Sequence, residues 1–390
     1  MSGPMATRSG RVAIMVPVAD GGAAAAVELE MTSEQVGRWK TVVGTVAGMV
    51  PPGAVRVLVH GADGEGLPAV FADRLAAHLR ADGHPCRRLA DASATDAGAS
   101  EADGDATLDE GAADLAVLAD GPRWRAAPPG GEWDVVVWLR TRSAGRDDRD
   151  DERGPDVVVD VDDPAWPVIR HVASRLAGDG SWHVSESQAF FAVRAATWDT
   201  KFGDDLPAYA AAVREIGLRA GAVVLDAGCG TGRALPALRD AVGPAGTVIG
   251  LDVTSQMLVT TRQRGRATHA ALVLADARRL PIAAGAVDAV FAAGLVHHLP
   301  DMSAGLAELA RVSRPGGTLA IFHPSGRTAL AARHGRALRP DEPLAASRLE
   351  PLLAATGWRL DSYDDPAHRF LALATRQERW HGAQAQVTGR

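Results

Sequence analysis

Five short apolar runs organise the second half of the chain, at 222–226, 247–252, 271–275, 287–293 and 317–323, each closed by a polar or glycine-rich turn. Their length and their Val, Ile, Leu and Ala content predict strands. A helix is expected over 349–356, and two further strands at 358–363 and 368–375. In the first half, strand-like runs at 55–60, 134–139 and 156–160 surround a predicted helix over 68–81, and the stretch from Trp39 to Pro52 has helical character but no motif. Strands alternating with helices in both halves imply two α/β layer folds, one over 1–180 and one over 181–390.

Composition sharpens this picture in a few places. A chain of 390 residues with 46% hydrophobic content can fill two cores. A formal charge of -7 argues against a general nucleic-acid binder, although local basic patches remain open. Nine acidic residues and no basic ones fall between Asp91 and Asp120, interleaved with Ala, Gly, Ser and Thr, so a flexible acidic insert is expected near 91–114. The charged run at 146–153 reads as a solvated turn. Cys86 and Cys229 fall in different halves, which suggests neither a disulfide nor a metal site and suits a reducing cytoplasm. The apolar run at 12–18 is strand-sized, and none approaches a membrane span.

The most informative stretch is Val223-Val-Leu-Asp-Ala-Gly-Cys-Gly-Thr-Gly232, where a strand ends in Asp226 and the chain turns through Gly228, Gly230 and Gly232. Glycines let backbone approach a ligand where a Cβ would clash, and the following helix aims its first N–H groups at the same place. Asp252 ends the next apolar run, where a carboxylate can accept both hydroxyls of a ribose. The dinucleotide fingerprint wants a glycine at Arg233, which disfavours nicotinamide or flavin. Downstream come Leu-Val-Leu-Ala-Asp276-Ala277, then Val287-Asp-Ala-Val-Phe-Ala-Ala-Gly294-Leu-Val-His297-His298-Leu-Pro300, then Arg314-Pro-Gly-Gly-Thr-Leu-Ala-Ile-Phe-His323. In that order and spacing, residues 186–376 resemble the class I S-adenosylmethionine (SAM) methyltransferases, in the branch that includes the ubiquinone and menaquinone methylases.

The resemblance implies a Rossmann-like seven-stranded sheet of order 3-2-1-4-5-7-6, closed by an antiparallel pair, with SAM as cofactor across the carboxyl ends of the strands. It places the amino-acid end of SAM at the backbone of Gly228 and Gly230 with Asp226 nearby, the ribose on Asp252, the adenine between Val253 and Met257, and the adenine amino group on Asp276 with the backbone of Ala277 beside it, and it counts Ala227, Gly232 and Gly294 among the cofactor-binding residues. The segment Arg194-Ala-Ala-Thr-Trp-Asp-Thr-Lys-Phe-Gly resembles the entry helix that closes over SAM, with Trp198 as the lid residue. His297, His298 and His323 follow strand ends and are candidate catalytic bases, since a near-neutral imidazole suits deprotonation of a hydroxyl, phenol or acidic carbon. Adjacent histidines on one turn are expected to diverge, one of them serving the scaffold. No Asn-Pro-Pro-Tyr type signature follows the fourth strand, and no metal site is expected.

A second resemblance covers 54–172. Arg56-Val-Leu-Val-His-Gly61-Ala-Asp-Gly-Glu-Gly66-Leu67-Pro68 looks like the phosphate loop of uridine-kinase-like P-loop enzymes, but Leu67 and Pro68 stand where Lys and a hydroxyl residue are needed. The first domain is therefore expected to be a degenerate P-loop fold without kinase activity. The combined expectation is a cytoplasmic SAM-dependent methyltransferase of a small-molecule acceptor, O-methylation preferred, with a nucleoside-like acceptor and a homodimer left open. The alternatives are an RNA or protein methylase with the first domain as docking module, using arginines 262, 264, 266, 278 and 279, and a non-enzymatic SAM-binding or assembly protein.

Overall fold

The strand and helix runs assemble into two separate sheets, one in each unit of a chain that divides between Trp182 and His183. The computed structural model describes residues 31–378 apart from 54, 62–65, 91–114, 127, 129–130, 142–153, 179, 203 and 334–336. The acidic run at 91–114, the charged turn at 146–153, the apolar stretch at 12–18 and most of the glycine turn at 61–66 lie outside the described residues.

In the first unit, α1 (Ser33–Ala47) starts at Thr32, whose hydroxyl accepts from the Gln35 N–H while the Gln35 side chain accepts from the Thr32 N–H, a reciprocal cap. Then follow β1 (Arg56–Gly61), α2 (Leu67–Ala81), β2 (Cys86–Leu89), β3 (Ala116–Asp120), α3 (Pro122–Ala126), β4 (Val135–Arg140), β5 (Val157–Asp160) and β6 (Val168–Val172). The sheet order is β2-β3-β1-β4-β5-β6, parallel except where β6 returns antiparallel to β5. Val57, Val59, Val135, Val137 and Leu139 meet Trp39, Phe71 and Leu75 from α1 and α2 in the main core. Gly66 caps α2 in the left-handed conformation, and Leu67 is fully buried in that core. The Leu67 side chain is thus spent on packing.

The second unit runs through α4 (Trp182–Ala192), α5 (Trp198–Phe202), α6 (Leu206–Ile216), β7 (Val223–Ala227), α7 (Leu235–Val242), β8 (Thr247–Asp252), α8 (Ser255–Gln263), β9 (Ala271–Leu274), β10 (Val287–Ala293), α9 (Met302–Val312), β11 (Ser313–His323), α10 (Arg327–Arg333), α11 (Ala346–Ala355), β12 (Trp358–Asp364) and β13 (Phe370–Arg376). Its sheet order is β12-β13-β11-β10-β7-β8-β9, which reads 3-2-1-4-5-7-6 when the seven strands are counted along the chain from the β9 edge. Five strands are parallel, and β13 runs antiparallel to both β11 and β12. Alternate residues of the central strands feed cores on opposite faces: Leu225, Val290 and Ile321 on one, Val224, Phe291 and Phe322 on the other. Strand order reverses beside β7, so the carboxyl ends of β7, β8 and β10 open a crevice where α/β sheets bind ligands.

Candidate functional site

The crevice is floored by the turn that leaves β7. Gly228, Gly230 and Gly232 all have positive φ, at 69°, 54° and 78°. A Cβ on Gly228 would press on Leu295, and one on Gly232 would lie 2.8 Å from Thr261, whereas a Cβ on Gly230 would meet nothing within 4 Å. The outer two glycines serve close packing, and Gly230 presents bare backbone to open space.

Asp226, at the strand end, is only 1% exposed, and its Oδ2 accepts no hydrogen bond among the described residues. Burial, reinforced by the nearby Asp252 charge, raises its carboxyl from 3.8 to about 8. Asp252 is also buried, but its two oxygens are used: Oδ2 accepts from the Gly230 N–H at 2.9 Å and Oδ1 from the Thr254 N–H at 2.7 Å. Burial lifts this carboxyl above its ordinary value, and those backbone donors pull it partly back. Of the two acids, Asp252 is therefore the better placed to hold a charge, and it fixes the shape of the glycine turn.

The adenine-side candidates are arranged less openly than the sequence suggests. Met257 and Ala277 are buried, Val253 is half-buried, and the Val253 carbonyl accepts from Gln188 Nε2 at 2.9 Å, which brings α4 over this end of the crevice. Asp276 is gripped by Arg278: Nη2 donates to Oδ2 at 2.8 Å, Nε donates to both oxygens, and the Arg278 N–H donates to Oδ1. Burial raises the Asp276 carboxyl, but the Arg278 side chain and backbone outweigh it and leave it below the usual value.

At the far end, Gly294 has φ 66° and donates to the Phe322 carbonyl at 2.9 Å, joining the ends of β10 and β11. His297 and His298 follow on a 3₁₀ turn, and their rings lie 4.1 Å apart. The expectation that they diverge is corrected here: the tight turn keeps both rings together, with His323 6.4 Å from His297. His323 Nδ1 lies 2.9 Å from the Ser325 carbonyl and 3.1 Å from the Ser325 N–H. Phe191 of α4 packs edge-on to His298 and to Trp198, each at 5.6 Å, so an aromatic wall runs from α5 to the strand ends.

Several residues were not visible from sequence reasoning. Asp199 accepts from the Thr231 hydroxyl at 2.6 Å and pairs with Arg266 at 2.8 Å. Arg233, the residue that breaks the dinucleotide fingerprint, is buried and pairs with Asp205 while its guanidinium stands 5.7 Å from the Tyr209 ring centre. Burial raises the Asp205 carboxyl to about 6 against the pull of Arg233. Long-range pairs of this kind have no local spacing to betray them. The one available signal was an Asp next to Trp198.

Residues 225–321 match the methyltransferase domain family. The match begins on β7 and ends on β11, so it takes in the glycine turn, the three strand-end aspartates and the His297–His298 turn, while Gln188, Phe191, Trp198 and His323 lie outside it. Among curated proteins, the demethylmenaquinone methyltransferase of Shouchella clausii is 34% identical over 119 residues, 30% of this chain and 51% of that protein. An uncharacterised 37.1 kDa protein of a Streptomyces fradiae transposon is 39% identical over 107 residues, 27% of this chain and 31% of that protein. The chain thus spans a third to a half of the length of these relatives. Among solved structures, a SAM-dependent methyltransferase from Aquifex aeolicus aligns at 25% identity with TM-score 0.38, over 43% of this chain and 89% of that one. The family match and the curated relatives support a methyltransferase domain in the second unit. No helix among the described residues is long and apolar enough to cross a membrane, and those residues hold no group of three or more potential metal ligands.

Proposed function

We propose that the second unit transfers a methyl group from SAM to a small-molecule acceptor. The observation that carries this reading is the buried Asp226 oxygen without a hydrogen bond among the described residues, at the start of the turn that carries the open backbone of Gly230 inside the matched domain. An unpaired buried acceptor costs stability unless a ligand completes it, and the ammonium of SAM is a donor of the right charge. The fit extends along the crevice: Gly230, in a turn shaped by the packing of Gly228 and Gly232, cradles the amino-acid end with Ala227 and Gly294, Asp252 accepts the ribose hydroxyls on its remaining lone pairs, and Val253, Met257, Asp276 and Ala277 receive the adenine.

SAM supplies an activated methyl on sulfonium, so the protein's tasks are alignment, water exclusion and, for a weak nucleophile, removal of a proton. Trp198 is the lid over SAM, and with Phe191 it forms a wall that reaches His298 on the acceptor side. In the tautomer whose Nδ1–H donates to the Ser325 carbonyl, His323 keeps Nε2 as an acceptor. That nitrogen, or one from the His297–His298 pair, takes the acceptor's proton, which favours O-methylation.

The first unit we read as a P-loop-like scaffold that has lost phosphoryl transfer, supported by its parallel sheet and by Leu67 lying in the core. A nucleoside-like acceptor rests on that ancestry alone. The unpaired Cys86 and Cys229 suit a reducing cytoplasm. RNA as acceptor is less well supported: Arg266 and Arg278 are engaged by Asp199 and Asp276, and Arg264 lies 3.8 Å from Asp199.

The test is transfer of radiolabelled methyl from SAM into extract fractionated by size, with Asp252→Ala as control. Label in the small-molecule fraction that disappears with the variant supports the proposal. Label in RNA or protein, or none in any fraction, overturns it.

A further inference from the structure

We propose that Asp199 is a positioning residue that fastens the Trp198 wall of the acceptor side to the cofactor turn, so that the acceptor site takes its shape only when that turn does. The inference rests on the methyl-transfer reading and adds a binding order to it.

One carboxylate joins three elements. Asp199 Oδ1 accepts from the Thr231 hydroxyl at 2.6 Å, and Thr231 stands between the left-handed Gly230 and Gly232 in the glycine turn. Asp199 Oδ2 pairs with Arg266 Nη1 at 2.8 Å, and that same nitrogen donates to the Thr231 carbonyl at 2.9 Å. Thr231 is 1% exposed, and the Asp199 and Arg266 side chains are largely buried, so these charge-assisted bonds are poorly screened.

The neighbour of Asp199 is Trp198, whose ring meets Phe191 and, through it, His298. Both residues sit in α5, a helix of five residues. A helix that short has almost no stability of its own, so its placement is dictated by what holds it. On the crevice side that hold is Asp199. A shift of the Thr231 hydroxyl as the glycine turn closes on ligand backbone is therefore passed to Trp198 without an intervening flexible residue. The cofactor should bind first and the acceptor second.

Hydrogen exchange over residues 195–202 of the full-length protein, with and without S-adenosylhomocysteine (SAH), tests this without knowledge of the acceptor. In wild type, SAH should slow exchange there about tenfold, the scale of one charge-assisted hydrogen bond. In Asp199→Asn and in Thr231→Val, which removes the hydroxyl from the other side, the slowing should fall below about twofold while SAH still binds by calorimetry. The double variant should behave like either single one, because both remove one link. Equal SAH-induced slowing in wild type and both variants overturns the proposal. Loss of SAH binding in both variants overturns it too, since Asp199 would then belong to the cofactor site itself. Wild type that binds no SAH removes the methyl-transfer reading, and the coupling with it.

Discussion

Replacing Asp226 by Asn should stabilise the protein at neutral and alkaline pH while weakening its hold on cofactor. Asn has nearly the same shape as a protonated Asp, so the substitution removes a charge without opening a cavity. Asp226 sits in the core beside Asp252, which is anchored by two backbone N–H donors and so ionises in preference. An acid whose folded pKa is raised leaves stability intact below its unfolded value, 3.8, and loses it as pH climbs through the folded value of about 8. Each pH unit between those limits costs the folded state about 1.4 kcal/mol. Between about pH 5 and about pH 8, wild type should therefore lose about 3.5 kcal/mol relative to Asp226→Asn, and above about pH 9 the gap should stop widening. Urea melts of both proteins at matched pH measure the gap, read on whichever transition the substitution moves because the chain holds two units.

The same geometry fixes the sign of a linked proton. At pH 7 the free protein holds Asp226 mostly protonated, and an ammonium brought against Oδ2 favours its carboxylate, so SAH binding should release close to one proton. Calorimetry in buffers of different ionisation enthalpy counts it, and Asp226→Asn should abolish the release. A stability gap independent of pH, together with proton-neutral SAH binding, would refute the reasoning. It would mean that the carboxyl is ionised in the free protein.

Two further perturbations probe separate parts of the fold. Gly232→Ala combines a left-handed backbone with a Cβ 2.8 Å from Thr261 and 3.0 Å from Leu235, and should cost about 2 to 4 kcal/mol in a urea melt, whereas Gly230→Ala has open space and should cost only about 1 kcal/mol while weakening SAH binding. Equal losses at the two positions would deny the division between a packing glycine and a ligand-facing one. In the first unit, Leu67→Lys restores the residue of a phosphate-binding pattern but trades a fully buried core side chain for an ammonium. It should cost about 3 kcal/mol or more and yield no ATP hydrolysis in a phosphate-release assay.

What the sequence made legible was whatever repeats at short range. Strand positions in the second unit were readable because β7, β8 and β10 are buried on both faces and so are almost continuously apolar, and a glycine turn announces itself by composition. In the first unit, β2 was missed because a four-residue edge strand carrying Arg87 and Arg88 has no apolar pattern, and β3 because it emerges from the end of an acidic run. Helix α4 escaped too: its side chains are nearly all half-buried, so neither face stands out. The three aspartates at strand ends were found by position, but position says nothing of what each carboxylate does. Among the described residues, Asp226 is left with a buried oxygen accepting no hydrogen bond, Asp252 is held by the backbone of Gly230 and Thr254, and Asp276 is held by Arg278 two residues on.

Those three states define an order of readiness along the crevice. At Asp226 burial suppresses the charge and one oxygen has no donor among the described residues, so a cation placed there would supply the missing bond and favour the carboxylate. The acid at the other end, Asp276, already has a cation in Arg278, with which an adenine amino group bound as proposed would have to share it. If SAM binds as proposed, its amino-acid end therefore meets the acid whose oxygen still awaits a donor, and its base meets one already paired. This is the arrangement expected of a site that must grip the end nearest the reacting sulfur, where an error of an ångström in methyl placement costs far more rate than a loosely held base costs affinity.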